Sequence, residues 1–269
     1  MRLLIALCFA TACSYQPRIG VVEDGPVDPD GLIDPDAPLV DDCGTSCTAA
    51  GGTCVSGTCT FECGTNNACP AGVVCPPNVP CAVNCTGQDS CHGNVDCTAA
   101  SSCTIACTGG QSCDGRVDCG GTACNVTCGQ DSCDTAVNCE ATGACTITCM
   151  SGQSCSGSVV ASAPTSTIAC GQDSCDAPIA CNATGVCTLN CGGSQACSST
   201  IACGPGKCDI TCGPDSCDGI VTCGNACACD VDCTAQSSCG SGSTCPNTPA
   251  CDTGSGCTSG PGACDSCPA

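Results

Sequence analysis

Four cysteines recur every 21 or 22 residues through nine consecutive copies, two of which lack one, with units starting at Cys59, Cys81, Cys103, Cys124, Cys145, Ser166, Cys187, Cys208 and Cys229. One copy runs Cys103-TIA-Cys107-TGGQS-Cys113-DGRVD-Cys119-GGTA-Cys124, and the next runs Cys124-NVT-Cys128-GQDS-Cys133-DTAVN-Cys139-EATGA-Cys145. Each copy holds two strand-like pieces. Cys145-Thr146-Ile147-Thr148-Cys149 is typical of one, and Arg116-Val117-Asp118-Cys119 of the other. Period-two alternation sets Cys and Ile or Val on one face and small polar residues on the opposite face. Gly-, Ser- and Asp-rich turns join the pieces. A unit so short cannot bury an apolar face alone, so the copies must stack. The expected fold is all-β: a disulfide-laddered β-solenoid (β-helix) of about nine 21–22-residue coils with two short strands per coil, spanning 59–250.

Composition agrees with a thin interior. The chain has no Trp, one Tyr and two Phe, the residues that carry much of an ordinary core's buried area, but 44 Cys. Whether such a chain is a disulfide scaffold or a thiolate metal binder depends on the compartment. Met1-Arg2 is a short basic start, Leu3 to Phe9 is apolar, and Ala10-Thr11-Ala12 supplies small residues before Cys13. This is the layout of an export signal too short to span a bilayer. The stretch ending at Cys13 resembles a bacterial lipobox. That resemblance implies acylation of Cys13 and residence in a bacterial cell envelope, lipid-anchored at the outer membrane or cell surface. Without the anchor the chain would be secreted.

The expected organisation follows. Residues 1–12 form the signal peptide, and 13–42 form a lipid-anchored acidic linker rich in Pro and Asp, a composition that favours extension. Residues 43–58 form an N-terminal Cys-rich cap, 59–250 the repeats, and 251–269 a C-terminal Cys-rich cap.

One irregular unit bears on the connectivity. In SGSVVASAPTSTIAC the fourth cysteine is replaced by Ala161 and the first cysteine of the next unit by Ser166. Joint loss is expected of two partners, since loss of one leaves a stranded thiol. A coincidental double loss is the alternative. Partnership at this position implies Cys97–Cys103, Cys119–Cys124, Cys139–Cys145, Cys181–Cys187 and Cys203–Cys208. The remaining cysteines then pair as Cys85–Cys91, Cys107–Cys113, Cys128–Cys133, Cys149–Cys155, Cys170–Cys175 and Cys191–Cys197. Each bridge clips a turn. Cys227 lies outside the repeat, and Cys257, Cys264 and Cys267 are open candidates for its partner.

A formal charge of −21 with four basic residues argues against nucleic acid, which requires a Lys/Arg footprint. The single histidine, His92, occupies the turn position held elsewhere by Asp114, Asp134 and Asp176, and reads as a solvated turn residue. No Cys/His nucleophile arrangement or G-x-S-x-G occurs, so no enzyme is expected. Two turns reading GQDSCD (Asp131 and Asp134, Asp173 and Asp176) and one reading GPDSCD (Asp215 and Asp218) offer paired carboxylates. Calcium takes six to eight oxygens of this kind, so these six residues are the candidate metal ligands. Solvated turns are the competing reading, and no other cofactor is expected. Two residues before the third cysteine the sequence alternates Asp89, Gln111, Asp131, Gln153, Asp173, Gln195, Asp215. With coils about 4.8 Å apart, alternation holds stacked carboxylates about 9.6 Å apart.

The regular cysteines, the Cys145-Thr-Ile-Thr-Cys149 type of strand and the polar turns resemble the disulfide-stapled β-solenoids typified by beetle antifreeze proteins. The resemblance is architectural. Those proteins need a Thr-x-Thr pair in every coil, whereas the equivalent pairs here include Thr104/Ala106, Asn125/Thr127, Thr188/Asn190 and Asp209/Thr211, so ice binding is not implied. The functional expectation is a non-enzymatic cell-envelope lipoprotein with a structural or adhesive role toward an unknown surface protein or glycan. The alternative is a calcium-dependent binding module built on the Asp turns.

Overall fold

A computed structural model describes residues 43–244, apart from 151 and 236. The chain opens with a short helix, α1 (Cys43–Ala49), and strand β1 (Thr53–Val55). Each coil then contributes a longer and a shorter strand. In order they are β2 (Thr58–Glu62) and β3 (Val73–Val74), β4 (Pro80–Cys85) and β5 (Val95–Cys97), β6 (Ser102–Cys107) and β7 (Val117–Cys119), β8 (Ala123–Cys128) and β9 (Val137–Glu140). The series continues with β10 (Ala144–Cys149) and β11 (Val159–Ser162), β12 (Thr165–Cys170) and β13 (Ile179–Cys181), and β14 (Val186–Cys191) and β15 (Ile201–Cys203). It ends with β16 (Lys207–Cys212) and β17 (Val221–Thr222), then β18 (Ala228–Cys233) and β19 (Ser243–Thr244). The longer strands with β1 form a ten-stranded sheet and the shorter ones a nine-stranded sheet. Together they make an all-β solenoid of about eight turns.

Every pairing in the repeats is parallel and in register. Ile105 meets Val126, Val126 meets Ile147, Ile147 meets Ile168, and Ile168 meets Leu189. The shorter sheet stacks Val95, Val117, Val137, Val159, Ile179 and Ile201 in the same way. The cause is the alternation in the sequence. A slip of one residue would turn every aliphatic and cysteine of a strand to solvent. The strand Cys103–Cys107 shows this: Cys103, Ile105 and Cys107 are buried while Thr104 and Ala106 face outward. One aliphatic from each sheet and the flanking sulfurs fill the interior, so no aromatic is needed beyond Phe61 in the first coil.

At the N-terminal end β1 pairs antiparallel with β2, Cys54 lying opposite Cys59. Two bridges, Cys43–Cys54 and Cys47–Cys59, tie α1 to this hairpin. An edge of the long sheet that would otherwise offer unpaired backbone groups is thereby occupied. The helix was not expected from the sequence. Its seven residues include Cys43 and Cys47, whose spacing of four places both on one helical face, and both are buried.

Between coils the backbones approach closely at the turns. A Cβ at Gly157 would overlap the carbonyl oxygen of Thr135 in the preceding coil, so only glycine fits there. The expected leader, Cys13, the acidic linker and the C-terminal cap lie outside the described residues, as do repeat residues 245–250. No described helix is long and apolar enough to cross a membrane.

Candidate functional site

The sulfur chemistry sits at two corners. At the first corner the long strand ends and a tight turn begins. The bonds there are Cys63–Cys69, Cys85–Cys91, Cys107–Cys113, Cys128–Cys133, Cys149–Cys155, Cys170–Cys175, Cys191–Cys197, Cys212–Cys217 and Cys233–Cys239. At the second corner the short sheet passes to the next long strand. The bonds there are Cys75–Cys81, Cys97–Cys103, Cys119–Cys124, Cys139–Cys145, Cys181–Cys187, Cys203–Cys208 and Cys223–Cys229. All eleven pairs written from the sequence are among these. Ala161 and Ser166 occupy the second corner between Cys139–Cys145 and Cys181–Cys187, and both are fully buried. Cys227 is exposed and is the one free cysteine among the described residues.

The first corner has a feature that cysteine spacing did not reveal. The alternating Asp/Gln column from Asp89 to Asp215 is left-handed, with φ between 50° and 58°. Two residues on, Cys91, Cys113, Cys133, Cys155, Cys175, Cys197, Cys217 and Cys239 are left-handed too, with φ between 53° and 60°. Such a conformation disfavours any residue with a Cβ, and two per turn must be held by neighbours. Each of these cysteines from Cys113 onward donates its N–H to the carbonyl of the residue before the matching cysteine in the previous coil. Examples are Cys113 to Ser90 at 2.9 Å and Cys155 to Ser132 at 2.9 Å. The intervening serines, which the sequence places in polar turns, are buried. Ser90 donates to the Gly87 carbonyl at 2.7 Å, Ser112 to Gly109 at 2.8 Å, and Ser216 to Gly213 at 2.7 Å. A hydroxyl that bonds the backbone three residues back is what makes serine suitable inside so tight a turn.

The six candidate calcium ligands are spread along this corner, and four of them have side-chain partners. Ser156 donates to Asp134 at 3.0 Å and Ser198 to Asp176 at 3.1 Å, each from the following coil. Gln130 contacts Asp131 at 3.4 Å and Gln172 contacts Asp173 at 3.2 Å. The backbone N–H of Asp215 is bonded to Ser237 at 3.3 Å, and Asp218 is exposed. Asp134 and Asp176 thus take hydroxyls from the following coil, while Asp131 and Asp173 are met by the glutamine beside them in the same turn.

The more unusual carboxylate is Asp114. Its Oδ2 lies 3.0 Å from Nδ1 of the exposed His92, while its Oδ1 is buried without a hydrogen-bond partner. Burial pushes the Asp114 carboxyl above the ordinary aspartate range. His92 opposes that shift, and the neighbouring charges of Asp134 and Asp89 add to it. The signal was present in the sequence, since His92, Asp114 and Asp134 share one column. What was missing was the direction in which each side chain leans. A raised folded pKa means that the native state holds this proton more tightly than the unfolded chain. Asp114 therefore weakens the fold as pH rises from the unfolded aspartate value, about 3.9, through the folded one, and that loss is absent below the unfolded value. Asp114→Asn is expected to raise the denaturant midpoint at neutral pH, with the advantage vanishing in acid. The ion pair that it sacrifices is largely exposed and contributes little. A variant that is less stable than the parent at neutral pH would refute this account.

A shallow groove of about 280 Å³ lies where the long sheet meets the first corner, lined by Thr148, Met150, Ala169, Gly171, Asn190 and Gly193. Met150 is 56% exposed there. Its cause is the small side chains in three successive coils.

These features define the class: a cysteine-rich, disulfide-stapled parallel β-solenoid. No family model, curated protein or solved structure matches the chain.

Proposed function

We propose that the chain is a non-enzymatic cell-envelope lipoprotein of bacterial type, a stiff rod with a structural or adhesive role, carried on an acidic tether from a lipid at Cys13. The observation that carries this reading is the unbroken in-register ladder from β2 to β18, bridged at the first corner of every coil. At about 4.8 Å per coil such an array presents a rod tens of ångströms long. Its long-sheet face is a lattice of small polar groups, among them Thr104, Asn125, Thr146, Thr167 and Thr188. A glycan or a surface protein is the class of partner such a face suits. The leader and Cys13 supply the anchoring part of the proposal from sequence alone.

Cys13→Ala is expected to shift the protein from the membrane fraction to the soluble exported fraction. Cells carrying that variant should attach to glycan- or protein-coated surfaces no better than cells lacking the chain. Mass spectrometry of the membrane-bound protein should find a lipid on a mature N-terminal Cys13. An intact Met1 or an unmodified Cys13 would overturn the anchoring, and unchanged attachment would overturn the adhesive role.

The calcium-dependent module is the second reading. The unpartnered Oδ1 of Asp114 beside Asp89 and Asp134 favours it. Millimolar calcium should then raise the unfolding midpoint by an amount that Asp114→Asn abolishes. An unchanged midpoint removes this reading and leaves the first intact.

A further inference from the structure

The two corners differ in how their cysteines are held, and the difference bears on which bonds can interconvert. At the second corner both halves of a bridge belong to sheet ladders, except that Cys75 and Cys223 lie one residue past the ends of β3 and β17. Cys97 lies opposite Cys119, and Cys119 opposite Cys139, in the short sheet. Cys81 lies opposite Cys103, Cys103 opposite Cys124, and Cys124 opposite Cys145 in the long one. Each sulfur therefore has two kinds of neighbour suitable for bonding. One is its partner across the corner, at a Cα separation of 6.2 Å for Cys97–Cys103 and 5.8 Å for Cys119–Cys124. The other is the matching cysteine one coil away, at the sheet repeat of about 4.8 Å. Both separations fall in the range a disulfide spans. The sulfurs already touch between coils: Sγ of Cys75 is 2.8 Å from Sγ of Cys97, and Sγ of Cys203 is 3.8 Å from Sγ of Cys223. The sulfurs of Cys75, Cys97 and Cys103 all lie within 4.8 Å of one another, as do those of Cys119, Cys124 and Cys139.

Sulfurs also cluster at the first corner, for example those of Cys85, Cys107 and Cys113. Only one edge of that corner belongs to a ladder of strands, however. The other edge is the left-handed column from Cys91 to Cys239, where backbone and serine hydrogen bonds fix the turn. Exchanging partners there would require two cysteines in this constrained conformation to re-aim together.

We propose that the second corner is an isomerisable lock, in which neighbouring bridges exchange partners to turn corner rungs into staples between coils. The exchange of Cys75–Cys81 and Cys97–Cys103 gives Cys75–Cys97 and Cys81–Cys103. It needs a catalytic thiolate, such as a small-molecule thiol or a thiol-disulfide oxidoreductase. That thiolate attacks Cys75, forming a mixed disulfide and releasing the Cys81 thiolate. Cys81 attacks Cys103, forming one staple and releasing the Cys97 thiolate. Cys97 attacks Cys75 in the mixed disulfide, forming the second staple and returning the catalytic thiolate. Two disulfides are consumed and two are formed, with no net oxidation. A rung closes only the local turn by which one coil passes to the next, whereas a staple ties matching positions of successive coils, a full turn apart in the chain.

The position of Ala161 and Ser166 acquires a role in this scheme. With no sulfur at that second corner, Cys139 and Cys181 are two repeats apart, about 9.6 Å, beyond disulfide reach. Exchange is confined to the four bridges from Cys75–Cys81 to Cys139–Cys145 on one side and to those from Cys181–Cys187 onward on the other.

The test uses the full oxidised chain, incubated in a buffer of reduced and oxidised glutathione and quenched in acid. Stepwise partial reduction, alkylation and tandem mass spectrometry then map the bonds. Loss of Cys75–Cys81 and Cys97–Cys103 should be matched by equal gain of Cys75–Cys97 and Cys81–Cys103, while the first-corner bonds stay as they are. In a second protein, Ala161→Cys with Ser166→Cys, bonds from Cys139 and Cys145 into the refilled coil should appear as well. Rungs alone at the second corner of both proteins would overturn the proposal. Equal exchange at the two corners would overturn its structural basis.

Discussion

Complete reduction of the bridges in mild denaturant should abolish the β-sheet circular dichroism of the repeats and make them susceptible to proteolysis. Each coil buries one large aliphatic from the long sheet and one from the short, such as Ile147 and Val159, and the rest of its interior is cysteine with a few small alanines and serines. So little apolar area is a weak counterweight to the entropy of ordering a whole coil. A bridge closing five or six residues removes about 2 kcal/mol of chain entropy from the unfolded state. Reduction removes that term at every corner at once. It also spoils packing. Bonded sulfurs sit about 2.05 Å apart, and two thiols need more room than a corner already in contact with its neighbours provides. Overpacking and lost cross-links act in the same direction. Survival of the full β signal in the reduced chain would mean that aliphatic stacking and the hydrogen-bond ladder hold the solenoid by themselves.

The second large effect is an asymmetry between one cysteine and two. Cys139→Ala with Cys145→Ser imitates the natural gap at Ala161 and Ser166 and should fold to an ordered solenoid. Its cost is about 2 kcal/mol for the bridge, plus about 1–3 kcal/mol if the new hydroxyl is left unsatisfied. Ser166 sets the precedent for that second term, being fully buried with no hydrogen-bond partner for its hydroxyl. The strands tolerate the gap: Ala161 keeps its register opposite Cys139 and Cys181, and Ser166 opposite Cys145 and Cys187. Cys139→Ala alone is a different perturbation. It leaves Cys145 as a thiol opposite Cys124 in the preceding long strand, and Cys124 is bonded to Cys119. A thiolate so placed attacks that disulfide and passes the defect along the corner. The single variant should therefore give mixed connectivities and covalent dimers on non-reducing gels, while the double variant runs as one species. Equal behaviour of the two would show that a stray thiol in this corner is inert.

Much of this architecture follows from local order in the chain. The 21–22-residue period, the positions of both strands, the inward face of each and the pairing across the turns can all be read from residues such as Cys145-Thr-Ile-Thr-Cys149 and from the joint absence at Ala161 and Ser166. Period-two patterning is a property of the sequence, and a partner five or six residues away is nearly a local choice. The tertiary structure decided what depends on neighbours from other coils. Cys91 and its equivalents are left-handed because N–H groups at this corner bond to carbonyls in adjacent coils. Ser90 and Ser112 are buried because stacked turns exclude water from a corner that looks polar in the sequence. Asp114 is perturbed because stacking buries it and brings His92 and Asp89 from one adjacent coil and Asp134 from the other to its side. Helix α1 forms where Cys43 and Cys47 are tied to Cys54 and Cys59. The contacts between sulfurs of successive coils belong to the same group. No period in one strand encodes them, because they arise only when the sheet repeat brings two distant cysteines within reach of each other.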